Sequence, residues 1–119
     1  MTTVTNFAVA LIALLHFYFM VLEMFFWDKP RGLRTFGLTL EFAKASKNLA
    51  ANQGLYNGFL VAGLVWGLCL GASGDAIKIF FLSCVVVAGV FGGLTASRRI
   101  LFVQALPAAV ALGLLLVFK

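Results

Sequence analysis

At 119 residues the chain has room for one domain, and 63% hydrophobic against 11% charged residues excludes an ordinary water-soluble one. A soluble domain would carry about 25% charged side chains. The net charge of +5 does not signal nucleic-acid binding, because no Arg-rich helix or aromatic platform stands outside the apolar segments.

The first segment, Phe7–Trp27, is an apolar run interrupted by His16 and Glu23. It is long enough to cross hydrocarbon, which takes roughly 20 apolar residues. Residues 1–6 carry no Lys or Arg, and the segment ends in Phe25-Phe26-Trp27 instead of a small-residue cleavage pattern. The expectation is a retained helix over 5–27, not a signal peptide. Asp28-Lys29-Pro30-Arg31-Gly32 reads as a turn, followed by loop as far as Leu38. Thr39 then offers an N-cap and Glu41 a first-turn acid, opening an amphipathic cytoplasmic stretch over 39–53. That stretch runs into a second span at 54–70, with a bend expected near Gly54. Gly71-Ala72-Ser73-Gly74-Asp75 is a short outer turn before a third span at 77–95, and Ser97-Arg98-Arg99 a short inner turn before a fourth at 100–118. Together these predict an all-α integral-membrane four-helix bundle, a single domain with four transmembrane spans. Four such helices take up nearly all of these residues.

The basic residues set a direction. Lys29, Arg31, Arg34, Lys44 and Lys47 lie between the first and second spans, and Arg98 and Arg99 between the third and fourth. Only Lys78 and Lys119 fall on the other side. The positive-inside bias therefore predicts both termini outside, with membrane lipids, and anionic headgroups in particular, as partners of the basic loops.

Small residues recur every four positions: Gly54/Gly58/Ala62, Gly63/Gly67/Gly71, Ala88/Gly92/Ala96 and Ala105/Ala109/Gly113. Such stripes let helix backbones approach closely in lipid. They serve packing within one bundle, or, for Gly63/Gly67/Gly71, a homo-oligomer. Cys69 and Cys84 have no second Cys or His at ligand spacing and read as apolar fillers. No metal or cofactor site is expected.

Intramembrane polar residues carry the functional signal. A charged side chain at mid-helix costs about 2.5–3.5 kcal/mol on insertion scales. His16 and Glu23 are seven apart and share a helix face. Counting from the cytoplasmic ends puts Glu23, Gln53, Asn57, Thr95 and Gln104 at nearly one level, with Tyr56 adding a hydroxyl. His16 lies about 10 Å deeper, with no partner legible in the sequence. A hydrogen-bond network that only fixes the helices is one reading of this cluster. A pocket for a small solute, lipid headgroup or proton, lined by His16, Glu23, Gln53, Asn57 and Gln104, is a second. An enzyme with Glu23 as acid/base on a lipophilic substrate is a third.

The stretch from His16 to Trp27, then Pro30-Arg31-Gly32, then Ala51-Asn52-Gln53-Gly54-Leu55-Tyr56-Asn57-Gly58 resembles a small bacterial integral-membrane family, domain of unknown function 1304. Val87-Ala88-Gly89-Val90-Phe91-Gly92 and Gln104-Ala105-Leu106-Pro107-Ala108 follow the same pattern, so the likeness covers essentially the whole chain. Leu40 stands where the family pattern has a proline. The resemblance implies a four-helix protein of the bacterial inner membrane and supplies no chemistry.

Overall fold

The computed structural model describes residues 2–118. Every regular element among them is helical: α1 (Thr2–Phe25), α2 (Pro30–Phe36), α3 (Leu40–Ala45), α4 (Lys47–Cys69), a 3-10 turn (Gly71–Gly74), α5 (Asp75–Thr95), α6 (Arg98–Ile100), a π-helical turn (Leu101–Ala105) and α7 (Leu106–Phe118). Three segments are long and apolar enough to cross a bilayer: Thr2–Phe25, Gly71–Thr95 and Arg98–Phe118.

The fourth expected span, over 54–70, does not qualify in the same way. It belongs to α4, which begins at Lys47 and carries Asn48, Asn52, Gln53 and Asn57 through its first half. Those amides hold the mean hydropathy of the helix down. Nor does the cytoplasmic stretch over 39–53 run unbroken into it. Thr39 caps α3 as expected, its hydroxyl accepting from the Phe42 N–H at 3.2 Å. The helix then breaks at Ser46, whose hydroxyl donates to the Phe42 carbonyl at 2.7 Å and accepts from the Trp27 indole at 3.0 Å. The break thus falls at Ser46, where a side chain shares a backbone carbonyl, and α4 continues as helix through Gly54.

The expected loop from Asp28 to Leu38 contains a helix instead. Pro30 opens α2 at its first turn, and Gly37 closes it in the left-handed conformation (φ 65°), the Pro-in, Gly-out asymmetry of helix ends. Gly32 is required for another reason: a Cβ there would overlap the Phe26 carbonyl oxygen.

The chain forms two compact units, residues 14–61 and residues 2–13 with 62–118. In the first, Phe19, Leu22, Ala43 and Ala50 are buried. Phe36 lies against Trp27 and Phe19, at ring separations of 5.1 and 6.1 Å. In the second, Val9, Ile12, Leu64, Leu82, Val85, Ala108, Ala111 and Leu115 form the core. Here the small-residue stripes act inside the chain. A Cβ on Gly63 would strike the Phe81 ring, one on Gly67 the Lys78 side chain, and one on Gly89 the backbone of Ala105. Gly63 and Gly67, two of the three residues read as an oligomer face, are therefore occupied by α5 and the turn before it.

The π-helical turn has a local cause. Pro107 has no N–H to offer the preceding turn and its ring crowds the carbonyl there. The Leu106 N–H reaches back five residues to the Leu101 carbonyl instead, the wider ring of a π-bulge. This turn faces Gly89 and Gly93, which would collide with Ala105 and Leu101 if they bore side chains.

Near the start of α5 is a buried cation that the sequence reading treated only as a topology marker. Lys78 is 1% exposed. Its Nζ donates at 3.2 Å to each of three acceptors, Asn6 Oδ1, the Gly71 carbonyl and Asp75 Oδ1. An ammonium has three donors, and all are used. The hint in the sequence was Asp75 three residues before Lys78 at a helix start.

Gly89→Ala should destabilise the protein by about 1–3 kcal/mol, because overpacking against the Ala105 backbone has no flexible side chain to absorb it. Gly113→Ala, which meets nothing within 4 Å, should be neutral or slightly stabilising. Unfolding of both variants by denaturing detergent from mild micelles measures the contrast. A separate pH effect follows from Asp28, outside the apolar segments. Partial burial pushes its carboxyl up, but the hydrogen bond and charge of Lys47, at 3.3 Å, outweigh this and hold it below the usual range. A depressed folded value means the pair contributes above the unfolded pKa of ~3.9 and is lost as pH falls through the lower, folded one. Asp28→Asn should flatten that acid-side step, and salt should weaken it in the parent.

Candidate functional site

His16 and Glu23 of α1 and Gln53 and Asn57 of α4 meet in one part-buried chain of hydrogen bonds. Its centre is a carboxylate: Glu23 is 4% exposed and His16 1%. Gln53 Nε2 donates to Glu23 Oε2 at 3.1 Å, and Asn57 Nδ2 donates to Glu23 Oε1 at 2.5 Å. Both carboxylate oxygens accept, as an ionised carboxylate does. Neither donor carries a charge, so Glu23 is stabilised by dipoles alone.

Asn57 has a second contact, and it corrects the expectation that His16 stands apart. Its Oδ1 lies 2.8 Å from His16 Nδ1. With Nδ2 committed to Glu23, Oδ1 can only accept, so the imidazole carries its proton on Nδ1. The ten or so ångströms of helix rise between His16 and Glu23 are bridged because the long Glu23 side chain leans toward the helix N-terminus. One amide then fills the remaining gap.

With Nδ1 turned to Asn57, Nε2 is the remaining ring nitrogen. That nitrogen is buried and has no hydrogen-bond partner. Phe19 stands edge-on to the imidazole at 5.6 Å, which holds its plane.

Backbone approach makes these bonds short enough. Gly54 and Gly58 follow Gln53 and Asn57 directly on α4. A Cβ on Gly54 would come within 2.6 Å of Met24 Cγ and 3.1 Å of both Glu23 Cβ and the Met20 carbonyl, and one on Gly58 within 3.1 Å of Met20 Sδ. The Gln-Gly and Asn-Gly pairs are thus a single device, each amide beside a gap that lets α1 in.

Other residues placed at this level behave differently. The Thr95 hydroxyl donates to the Phe91 carbonyl of its own helix at 2.7 Å, satisfying itself locally. Tyr56 is exposed and packs edge-on against Phe59 at 5.7 Å. Gln104 belongs to the other unit, half-buried on the π-helical turn. The two hydrogen bonds to Glu23 described here come from Gln53 and Asn57. Among the described residues no three His, Cys, Asp or Glu side chains come together as a metal site would require.

The two-sided role of Asn57 makes it the most costly member to remove. Asn57→Leu strips a partner from both His16 and Glu23 and should cost about 2–4 kcal/mol. Glu23→Gln should cost only about 1 kcal/mol, because the exposed Gln53 can turn its amide to face the new one. Detergent-unfolding curves of the two variants give the comparison, and equal losses would show that the chain of bonds does not run through Asn57.

The model of the protein family of unknown function DUF1304 matches residues 10–116. The uncharacterized protein YpaA of Lactococcus lactis subsp. lactis (strain IL1403) is 31% identical over 114 residues, covering 94% of this chain and 96% of the relative. No solved structure matches. Every residue of the His16–Asn57–Glu23–Gln53 chain falls inside the matched span, and the protein belongs to the DUF1304 family, whose function is unknown.

Proposed function

We propose that this is a multi-pass protein of the bacterial inner membrane that binds a small molecule through a hydrogen-bond donor received by His16 Nε2, a proton being the smallest such ligand. The observation that carries the binding site is the buried, unpartnered Nε2 on an imidazole whose other nitrogen is held by Asn57. A buried acceptor left unmade costs about 1–3 kcal/mol. A partner that arrives from outside the chain recovers that energy on binding. Glu23 supports the role through Asn57, polarising the amide so that its oxygen is a better acceptor for the imidazole N–H.

Four crossings with both termini outside remain the reading favoured for the chain, although α4 is less apolar than the other three. Its polar half is hydrogen-bonded to α1 through Gln53 and Asn57, so those amides need not face lipid. Its apolar half runs antiparallel to the start of α5, with Gly63 at Phe81 and Gly67 at Lys78. A helix packed along a spanning segment shares its depth. Seven of the nine basic residues then lie on one side, as the positive-inside bias requires.

His16→Asn separates binding from packing, since an Asn amide can keep a donor toward Asn57 while removing Nε2. The parent protein, released gently from membranes and weighed intact by native mass spectrometry, should carry a small molecule that the His16→Asn variant lacks. In the same samples, the 15N resonance of Nε2 should move when the ligand is stripped. A parent with no bound species and an Nε2 signal indifferent to extraction and to pH would leave the hydrogen-bond chain a purely structural feature.

A further inference from the structure

Helix α2 does not project away from α1 but folds back along it, and the fold-back positions a cation where a cation is costly. Gly32 abuts the carbonyls of Phe26 and Trp27, and Phe36 packs on Trp27 and Phe19. Arg31 is thereby laid beside Tyr18, its Nη1 donating to the phenol oxygen at 3.4 Å. Tyr18 is seven residues before the last residue of α1, about 10 Å back along the helix axis. A guanidinium drawn that far along an apolar helix needs an anion or water there. Among the described residues Arg31 has no ion-pair partner: Asp28 is taken by Lys47, and Glu23 by two amides. The Arg31 and Tyr18 side chains are both exposed, Tyr18 to 38%, and the Tyr18 hydroxyl also meets the Thr35 side chain.

The surroundings specify the anion. Lys29, Arg34 and Lys44 are exposed on the same 29–47 segment and make no ion pair among the described residues, against the single exposed acid Glu41 of that segment. Leu14 and Phe17 of α1 are each about half exposed or more; Leu14, four residues before Tyr18, shares its face, and Phe17 stands beside Leu14 at i+3. The combination is a cationic fork and a phenol at the head of an apolar strip.

We infer that Arg31 and Tyr18 form a seat for the phosphodiester of an anionic phospholipid, whose acyl chains run from there toward the bilayer centre along Leu14 and Phe17 of α1. A planar guanidinium matches two phosphate oxygens at once, the phenol supplies a further contact, and the flanking Lys29, Arg34 and Lys44 favour a headgroup of net negative charge over a zwitterionic one. The seat rests on the membrane reading above and is separate from the His16 chain, none of whose residues it uses.

Electron paramagnetic resonance with acyl-chain spin-labelled lipids tests it on the full chain reconstituted in phosphatidylcholine bilayers. The parent should immobilise spin-labelled phosphatidylglycerol in clear preference to spin-labelled phosphatidylcholine. Arg31→Gln should reduce that preference roughly fivefold at low salt, the effect of one cation beside an anionic surface. Tyr18→Phe, which removes only the hydroxyl, should reduce it about twofold, and Arg99→Gln should leave it unchanged. Equal immobilisation of both lipids by the parent overturns the seat while leaving the protein membrane-embedded. So does a loss in Arg99→Gln matching that in Arg31→Gln, which marks diffuse attraction, or full preference in Tyr18→Phe. Displacement of phosphatidylglycerol by millimolar inorganic phosphate would make it a free-anion site instead. Immobilisation of neither lipid would instead count against membrane embedding itself.

Discussion

The Asn57 side chain is the point on which residues 14–61 depend. A buried carboxylate is tolerated only when its oxygens are met, and a buried imidazole only when its polar nitrogens are. One amide, with an acceptor and a donor on opposite sides, satisfies part of each. Its orientation is not free: the carboxylate requires the NH2, and the imidazole is left with the oxygen. The protonation pattern of His16 therefore follows from the position of Glu23, although the two never touch. Gly54 and Gly58 exist in this scheme to bring the backbone of α4 close enough for a short side chain to reach.

The other unit solves a similar problem with the opposite charge. Lys78 is as buried as His16, and three oxygens at equal distance saturate its ammonium. One is a side-chain amide from α1, one a backbone carbonyl of the turn at Gly71, and one the carboxylate of Asp75. The turn can supply that carbonyl because Gly71 adopts φ 62°, a conformation costly for residues with a Cβ. Lys78 is complete, whereas His16 has a nitrogen to spare. That difference is why the proposed ligand is assigned to His16, while Lys78 serves the fold.

Pro and Gly govern the backbone wherever the helices depart from regularity. Pro30 starts α2, and Pro107 forces the π-helical turn that faces Gly89 and Gly93. At Ser46, whose hydroxyl shares a backbone carbonyl, α3 breaks from α4. Each is a local chemical event, yet each redirects a helix. The fold-back of α2, which lays Arg31 along α1, begins with one of them.

From its sequence alone the chain is all-helical, rich in apolar segments and a member of its family, because hydrophobic run length and residue pattern are one-dimensional properties. The pairing of Glu23 with Gln53 and Asn57 was legible for the same reason: their levels can be counted from helix ends. What only the tertiary structure decided is azimuth and reach. It turned Asn57 toward both His16 and Glu23, turned Thr95 back on its own helix, and put Gln104 in the other unit. It also folded Arg31 against Tyr18 and gathered three oxygens around Lys78. Side-chain direction around a helix and the closeness of two backbones depend on neighbours distant in the chain, and no local pattern of residues encodes them.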